Sequence, residues 1–264
     1  MKSDFLIIGF PRCGTTWLFR ALKPHPDICM STIKELNFFN KNYDNGVDYY
    51  DSFFEDEKGQ TCGEASPNYI FNKTTISNIK KQKKKLKFIV ILRHPVMRAF
   101  SAYRFFNKQY SDLTFEQAIK ADDEILKFGQ YIDYLKLWYE AFEKSQFKII
   151  IFEKMITSPF ETLKEVVKFL ELDSEKLSDV DDSVSNPSIL PKFQAVLYQY
   201  HLDWIIELVK NSLFDRIIRK LYLKRQKKGQ VHIKKETFEM LSNHYRSYNL
   251  QLKEYLKLDL SSWE

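Results

Sequence analysis

Glycine and proline are scarce in this chain, at 7 and 8 of 264 residues, which excludes a long flexible linker. Cysteine is scarcer still. Cys13, Cys29 and Cys62 are odd in number and lack metal-ligand spacing, so neither a disulfide framework nor a cysteine-bound metal is expected. They read as free thiols of a reducing compartment. No stretch approaches the ~20 apolar residues of a membrane span. Met1 to Asp4 runs straight into a short apolar segment without a signal peptide, so the expectation is a cytoplasmic protein with no integral membrane segment. There is no internal repeat and no low-complexity domain.

What is present is ordinary for a globular protein: 44% hydrophobic and 29% charged residues. The length suits one large α/β domain or two small ones, and one domain over 1–264 is expected. Aromatics reach 16%, read as a core rich in Phe and Tyr. The formal charge of +6 fits an anionic ligand, as it fits many inert proteins. The Lys run over 80–87 reads as a solvated helix end rather than a nucleic-acid patch.

Phe5-Leu-Ile-Ile-Gly9, Lys87 to Leu92 and Lys148 to Phe152 read as buried strands, with Ile28 to Met30 as a short fourth. Helices are expected over Thr15–Leu22, Thr74–Lys85, Val96–Asn107, Leu113–Lys127, Tyr131–Lys144, Pro159–Leu170 and Thr237–Leu256. Asn37 to Phe54 looks irregular. Apolar strands without alternation, separated by helices, predict an α/β fold with a parallel sheet covered on both faces.

The first strand is followed by Gly9-Phe-Pro-Arg-Cys-Gly14-Thr15-Thr16 and then helix. Glycines let backbone N–H groups converge on an anion, and the helix N-terminus adds its positive dipole end. The spacing is close to the nucleotide-binding Gly-x-x-x-x-Gly-Lys-Ser/Thr loop, but Thr15 stands at the Lys position. A nucleoside triphosphatase uses that Lys on the β- and γ-phosphates, so its absence argues against ATP or GTP hydrolysis. The cation sits inside the loop instead, at Arg12.

Pro11-Arg-Cys-Gly-Thr-Thr-Trp17 resembles the 5′-phosphosulfate loop of sulfotransferases that use 3′-phosphoadenosine 5′-phosphosulfate (PAPS), whose commonest form is Pro-Lys-Ser-Gly-Thr-Thr. The resemblance implies that Arg12, Cys13, Gly14, Thr15 and Thr16 hold the co-substrate, with Arg12 neutralising the bridging oxygen as the S–O bond breaks. Cys13 replaces the usual Ser and removes a hydroxyl donor. Trp17 matches a position that stacks adenine in cytosolic members; a place in the core is its other reading.

The second strand runs into Arg93-His-Pro-Val-Met-Arg98-Ala-Phe-Ser101-Ala-Tyr103. This resembles the family's 3′-phosphate motif, Arg-x-Pro-x-x-Arg-Ala-x-Ser-x-Tyr. By that resemblance Arg93 and Ser101 bind the 3′-phosphate, and Arg98 pairs structurally. On the acceptor side, Lys34-Glu35-Leu-Asn-Phe-Phe39 resembles the Lys-Glu-x-x-Phe-Phe segment of heparan-type enzymes, whose Glu is the catalytic base. A carboxylate within reach of the acceptor proton suits that role. His25, between two prolines, is the rival base, with a structural role as its better fit.

Gly46-Val-Asp-Tyr-Tyr50 and Glu64-Ala65-Ser-Pro-Asn-Tyr69 resemble further heparan-type segments, the second written Glu-Lys-x-x-x-Tyr. Ala65 replaces a Lys that contacts the sulfated chain there, which weakens the case for a polyanionic acceptor. Lys224 to Gln230 resembles the loop that closes over PAPS, implying Lys228 and Gly229 at the nucleotide, with Gln230 in place of the loop Arg. Tyr245-Arg-Ser-Tyr-Asn249 and Trp263 match C-terminal family positions.

The family implies a P-loop NTPase-like three-layer fold, PAPS as co-substrate with its product 3′-phosphoadenosine 5′-phosphate (PAP), no metal, and an acceptor that is a carbohydrate by the nearest segments. A lipid, peptide or small metabolite stays open as acceptor. A small-molecule kinase with a degenerate phosphate loop, or an inactive nucleotide-binding module, are the other readings.

Overall fold

The computed structural model describes residues 1–56, 59–106, 109–110, 112–177 and 233–263. Five strands build one sheet: β1 (Phe5–Gly9), β2 (Ile28–Met30), β3 (Thr61–Ala65), β4 (Lys87–Leu92) and β5 (Phe147–Ile151). Their order is β2-β3-β1-β4-β5, and every neighbouring pair is parallel. Phe5 to Ile8 and Phe88 to Leu92 are fully buried. Burial on both faces is why these strands are continuous apolar runs.

Helices supply the covering layers. α1 (Thr15–Leu22) packs on β1, β2 and β3, and α9 (Pro159–Phe169) packs on β5 and α1. A second group joins α3 (Lys73–Lys81), α7 (Tyr131–Ala141) and α10 (Lys235–Leu256), with α7 touching the other two. Trp138 of α7 meets Phe88 of β4 edge to face at 5.3 Å, and its Nε1 donates to the Ile70 carbonyl at 3.1 Å. Truncating a buried aromatic of this kind to Ala costs about 3–5 kcal/mol.

Several elements differ from expectation. β3 was not expected, because Thr-Cys-Gly-Glu-Ala does not read as an apolar run. β5 begins at Phe147 and ends at Ile151, and α8 (Phe152–Thr157) follows at once. The helix expected over Leu113–Lys127 is two, α5 (Phe115–Ala121) and α6 (Glu124–Lys127). Asp122 breaks it: its backbone is extended, and its side chain accepts from Glu124 N–H at 3.0 Å and from the Tyr110 hydroxyl.

The stretch after β2 is ordered too. It forms a π-helical turn (Phe38–Asn42), a 3-10 turn (Tyr43–Asn45) and α2 (Gly46–Asp51) around Phe38, Phe39 and Tyr50. In the lysine run, Lys84, Lys85 and Lys87 pair with Asp4, Glu143 and Glu171. The helix expected over Thr237–Leu256 is α10. The basic loop with Lys228 and Gly229 lies outside the described residues.

Candidate active site

The carboxyl ends of β1, β2, β3 and β4 open on one edge of the sheet, where ligands of open α/β folds sit. β1 delivers the phosphate loop there. Gly14 is the N-cap of α1 at φ 92, and the first turn has neither a side-chain cap nor an acidic residue. Its unpaired N–H groups and dipole end are thus presented without an internal anion. A Cβ on Gly14 would meet Met155 Cε at 2.5 Å and the Phe152 ring at 3.1 Å, because α8 packs against the loop. Gly14→Ala is therefore expected to lose stability, roughly 1–2 kcal/mol from the left-handed backbone alone. In a thermal melt that is a fall of about 3–6 °C; an unchanged melting temperature would refute the packing described.

Arg12 itself has φ 70 and is half-buried. Its Nε donates to Ser101 Oγ at 3.3 Å, and its guanidinium lies 4.2 Å from the centre of the exposed Phe105 ring. Ser101 and Phe105 both belong to α4 (Pro95–Phe105). Arg93 leaves the end of β4; its Nη1 donates to the Arg12 carbonyl at 3.1 Å, and its guanidinium lies 4.5 Å from the Phe152 ring centre. Arg93 Nε is buried without a partner. Burial, and next the Arg93 charge, hold the Arg12 guanidinium below its ordinary pKa, while nearby Glu35 pushes the other way. Among the described residues neither arginine makes a direct ion pair with a carboxylate. Two crowded guanidiniums, one with a buried unused donor, beside an open helix N-terminus, fit a multiply charged phosphate ligand.

The remaining loop residues divide. Thr15 and Cys13 are buried, Thr16 is exposed, and Trp17 is half-buried. Burial pushes the Cys13 thiol up to about 11, so it stays protonated. Its Sγ lies 3.8 Å from Tyr131 Oη, which donates to the Arg93 carbonyl at 2.7 Å. Tyr131 thereby ties the two phosphate motifs together, a link that spacing along the chain does not reveal. Arg98 is buried and donates to the Ile125 carbonyl, away from solvent. Glu153 of α8 accepts from the His94 N–H at 3.0 Å and from Trp263 Nε1 at 2.9 Å, which brings the C-terminal end to the strand corner that carries Arg93.

Glu35 is exposed, five residues past β2, with φ 66. Its N–H donates to the Ala65 carbonyl at 2.9 Å, and its carboxylate pairs with Lys34 Nζ at 2.5 Å. Burial first, and Arg12 among the nearby charges, hold Lys34 below its ordinary pKa, with Glu35 opposing. Lys34, Glu35 and Arg12 thus share one electrostatic neighbourhood. His25 is buried elsewhere: its Nδ1 accepts from Asp27 N–H at 3.2 Å, so its Nε2 donates to the Asp173 carbonyl at 3.0 Å. Both ring nitrogens serve the fold.

Glu64, on β3, is fully buried. Tyr69 Oη donates to it at 2.6 Å, Ser66 Oγ at 2.7 Å and Tyr50 Oη at 3.3 Å. Burial raises its pKa from 4.5 to about 7, against the three hydroxyls and the more distant Lys34 charge. Between these values the native state keeps a proton that the unfolded chain has lost, so Glu64's contribution to stability is largest below pH 4.5 and is lost as pH rises to about 7.

Fold and site together define an α/β protein with a phosphate loop and paired arginines at the carboxyl edge of a parallel sheet. The chain belongs to the sulfotransferase family: the family model described as Sulfotransferase domain matches residues 2–192. It is 39% identical over 106 residues to the membrane-associated sulfotransferase kil1 of Dictyostelium discoideum, covering 39% of this chain and 22% of that protein. It is 30% identical over 178 residues to mouse heparan sulfate glucosamine 3-O-sulfotransferase 3B1, covering 63% of this chain and 45% of the relative. The chain thus spans less than half the length of these relatives. A crystal structure of a sulfotransferase from Alicyclobacillus acidocaldarius superposes with TM-score 0.73 at 22% identity, covering 100% of this chain and 99% of that one.

These relatives correct the expectation of a cytoplasmic protein, since one of them is membrane-associated. Among the described residues no helix is long and apolar enough to cross a membrane.

Proposed function

We propose that this chain moves a sulfuryl group from PAPS to a hydroxyl or amine of a carbohydrate by in-line displacement. The observation that carries this is the convergence of Arg12, Arg93 and Ser101 beside the uncapped N-terminus of α1. PAPS supplies an activated sulfur whose bond to the 5′-phosphate oxygen is polar and ready to break. Glu35 takes the acceptor proton as the acceptor oxygen or nitrogen bonds to sulfur. The electron pair of the breaking S–O bond passes to the 5′-phosphate, where Arg12 and the loop N–H groups stabilise the added charge. Arg93 and Ser101 hold the 3′-phosphate and so select PAPS over ATP. Lys228 and Gly229 join this reading through the family resemblance. The carbohydrate acceptor follows from the heparan sulfate relative and the Lys34-Glu35 segment.

The deciding experiment is calorimetric titration with PAP, with ADP and AMP as controls. Micromolar PAP binding with ADP far weaker is the expected result. No PAP binding, or a preference for ADP with Mg²⁺, would return the phosphate loop to kinase chemistry.

A further inference from the structure

The carboxylate of Glu64 has hydroxyl partners on every side, and two of those hydroxyls continue onward. Ser66 Oγ, which donates to Glu64, accepts the Asn37 N–H at 3.0 Å. Tyr69 Oη, which also donates to Glu64, accepts the Phe39 N–H at 3.3 Å. Asn37 and Phe39 belong to the segment that starts with Lys34 and Glu35. Glu35 is moored a third time by its own N–H on Ala65, the residue after Glu64. Asn37 also holds it, with Nδ2 donating to the Glu35 carbonyl at 2.8 Å. Glu35 and Asn37 both have positive φ, at 66 and 50, a backbone that non-glycine residues keep only where surroundings impose it.

We propose that Glu64 is a positioning residue for Glu35, acting through two hydroxyl relays, Ser66 to Asn37 and Tyr69 to Phe39. The reason is hydrogen-bond polarity. Above about pH 7, where Glu64 is ionised, its carboxylate only accepts, so each hydroxyl points its one proton at Glu64 and leaves its lone pairs for a backbone N–H. A protonated or amide side chain at position 64 brings a donor of its own. One hydroxyl must then turn, and its new O–H competes with Asn37 or Phe39 for the same space. The left-handed segment loses a mooring, and Glu35 loses its place. None of the relay's hydrogen bonds is made to the phosphate loop. The inference rests on the proposed role of Glu35, but part of its test does not.

The test compares the full chain with its Glu64→Gln variant at about pH 8.5, where the wild-type carboxylate is ionised. Amide hydrogen exchange is expected to quicken at least tenfold at Asn37 and Phe39 and to stay unchanged in β1 and β4. With PAPS and a desulfated heparan polysaccharide as acceptor, kcat is expected to fall about 10- to 100-fold, while KM for PAPS stays within about twofold. Glu64→Asp, which restores the acceptor-only group, is expected to recover part of kcat. Native-like protection at both amides in Glu64→Gln would overturn the relay, as would a kcat loss matched by the PAPS KM. If Glu64→Gln fails to fold, Ser66→Ala is expected to expose only the Asn37 amide and Tyr69→Phe only the Phe39 amide; any other pattern would also overturn it. Should the wild type bind no PAP, the sulfotransferase reading falls, and the exchange data still judge the relay on their own.

Discussion

Replacing Arg12 with Ala is expected to lower turnover of PAPS by about 10²- to 10³-fold, the usual loss when one preorganised donor to a developing oxyanion is removed. The side chain is positioned for such an effect. It sits in the phosphate loop, half-buried, with its Nε on Ser101 and its carbonyl accepting from Arg93. Truncation loses the Ser101 contact and the guanidinium's place over the Phe105 ring, and keeps the Arg93 contact, which uses the backbone. Its guanidinium is held in place despite burial and a neighbouring cation, both of which disfavour the charge. A charge kept under those conditions does most for a reaction that builds negative charge beside it. Fold stability is expected to change little, so melting temperature is the control. Arg12→Lys keeps the cation that most family loops carry and is expected to retain activity within about tenfold. Wild-type turnover in Arg12→Ala would remove Arg12 from the chemistry.

Glu35→Gln is expected to lose turnover by about 10²- to 10⁴-fold, the range for loss of a general base. PAP affinity, measured by calorimetry, is expected to stay within about twofold. Gln preserves size and backbone conformation, and the mooring of Glu35 N–H on Ala65 does not involve the carboxylate. What changes is the ability to take a proton, together with the ion pair between exposed Glu35 and the largely buried Lys34. A loss of PAP affinity equal to the loss of turnover would make Glu35 a structural residue. The two variants together separate charge stabilisation at the leaving group from proton removal at the acceptor.

Much of the fold is legible along the chain because parallel strands buried on both faces must be apolar throughout. β1, β2 and β4 announce themselves in this way, as does α1 between a glycine turn and two prolines. The first motif is legible because backbone geometry constrains it locally, a tight turn needing Gly14, and the second, from Arg93 to Tyr103, is read through its resemblance to the family. β3 is illegible for the opposite reason. Its buried Glu64 is tolerated because Ser66 and Tyr69, just beyond the strand, and Tyr50 of α2 donate hydroxyls that offset its desolvation. A Ser two residues on and a Tyr five residues on do not by themselves mark that carboxylate as interior.

By itself, then, the chain's pattern determined a parallel α/β architecture, a phosphate loop without the kinase lysine, and the family to which these belong. The architecture and the loop follow from periodicity and short-range backbone rules, and the family from the resemblance of two motifs to known ones. The tertiary structure alone decided which side chains meet: Tyr131 bridging Cys13 and Arg93, Glu153 joining His94 to Trp263, and Glu64 beneath the Glu35 segment. Hydrogen bonds act over about 3 Å, whatever the distance along the chain. Contacts between residues more than a hundred positions apart exist only once the sheet has brought their strand ends to one edge.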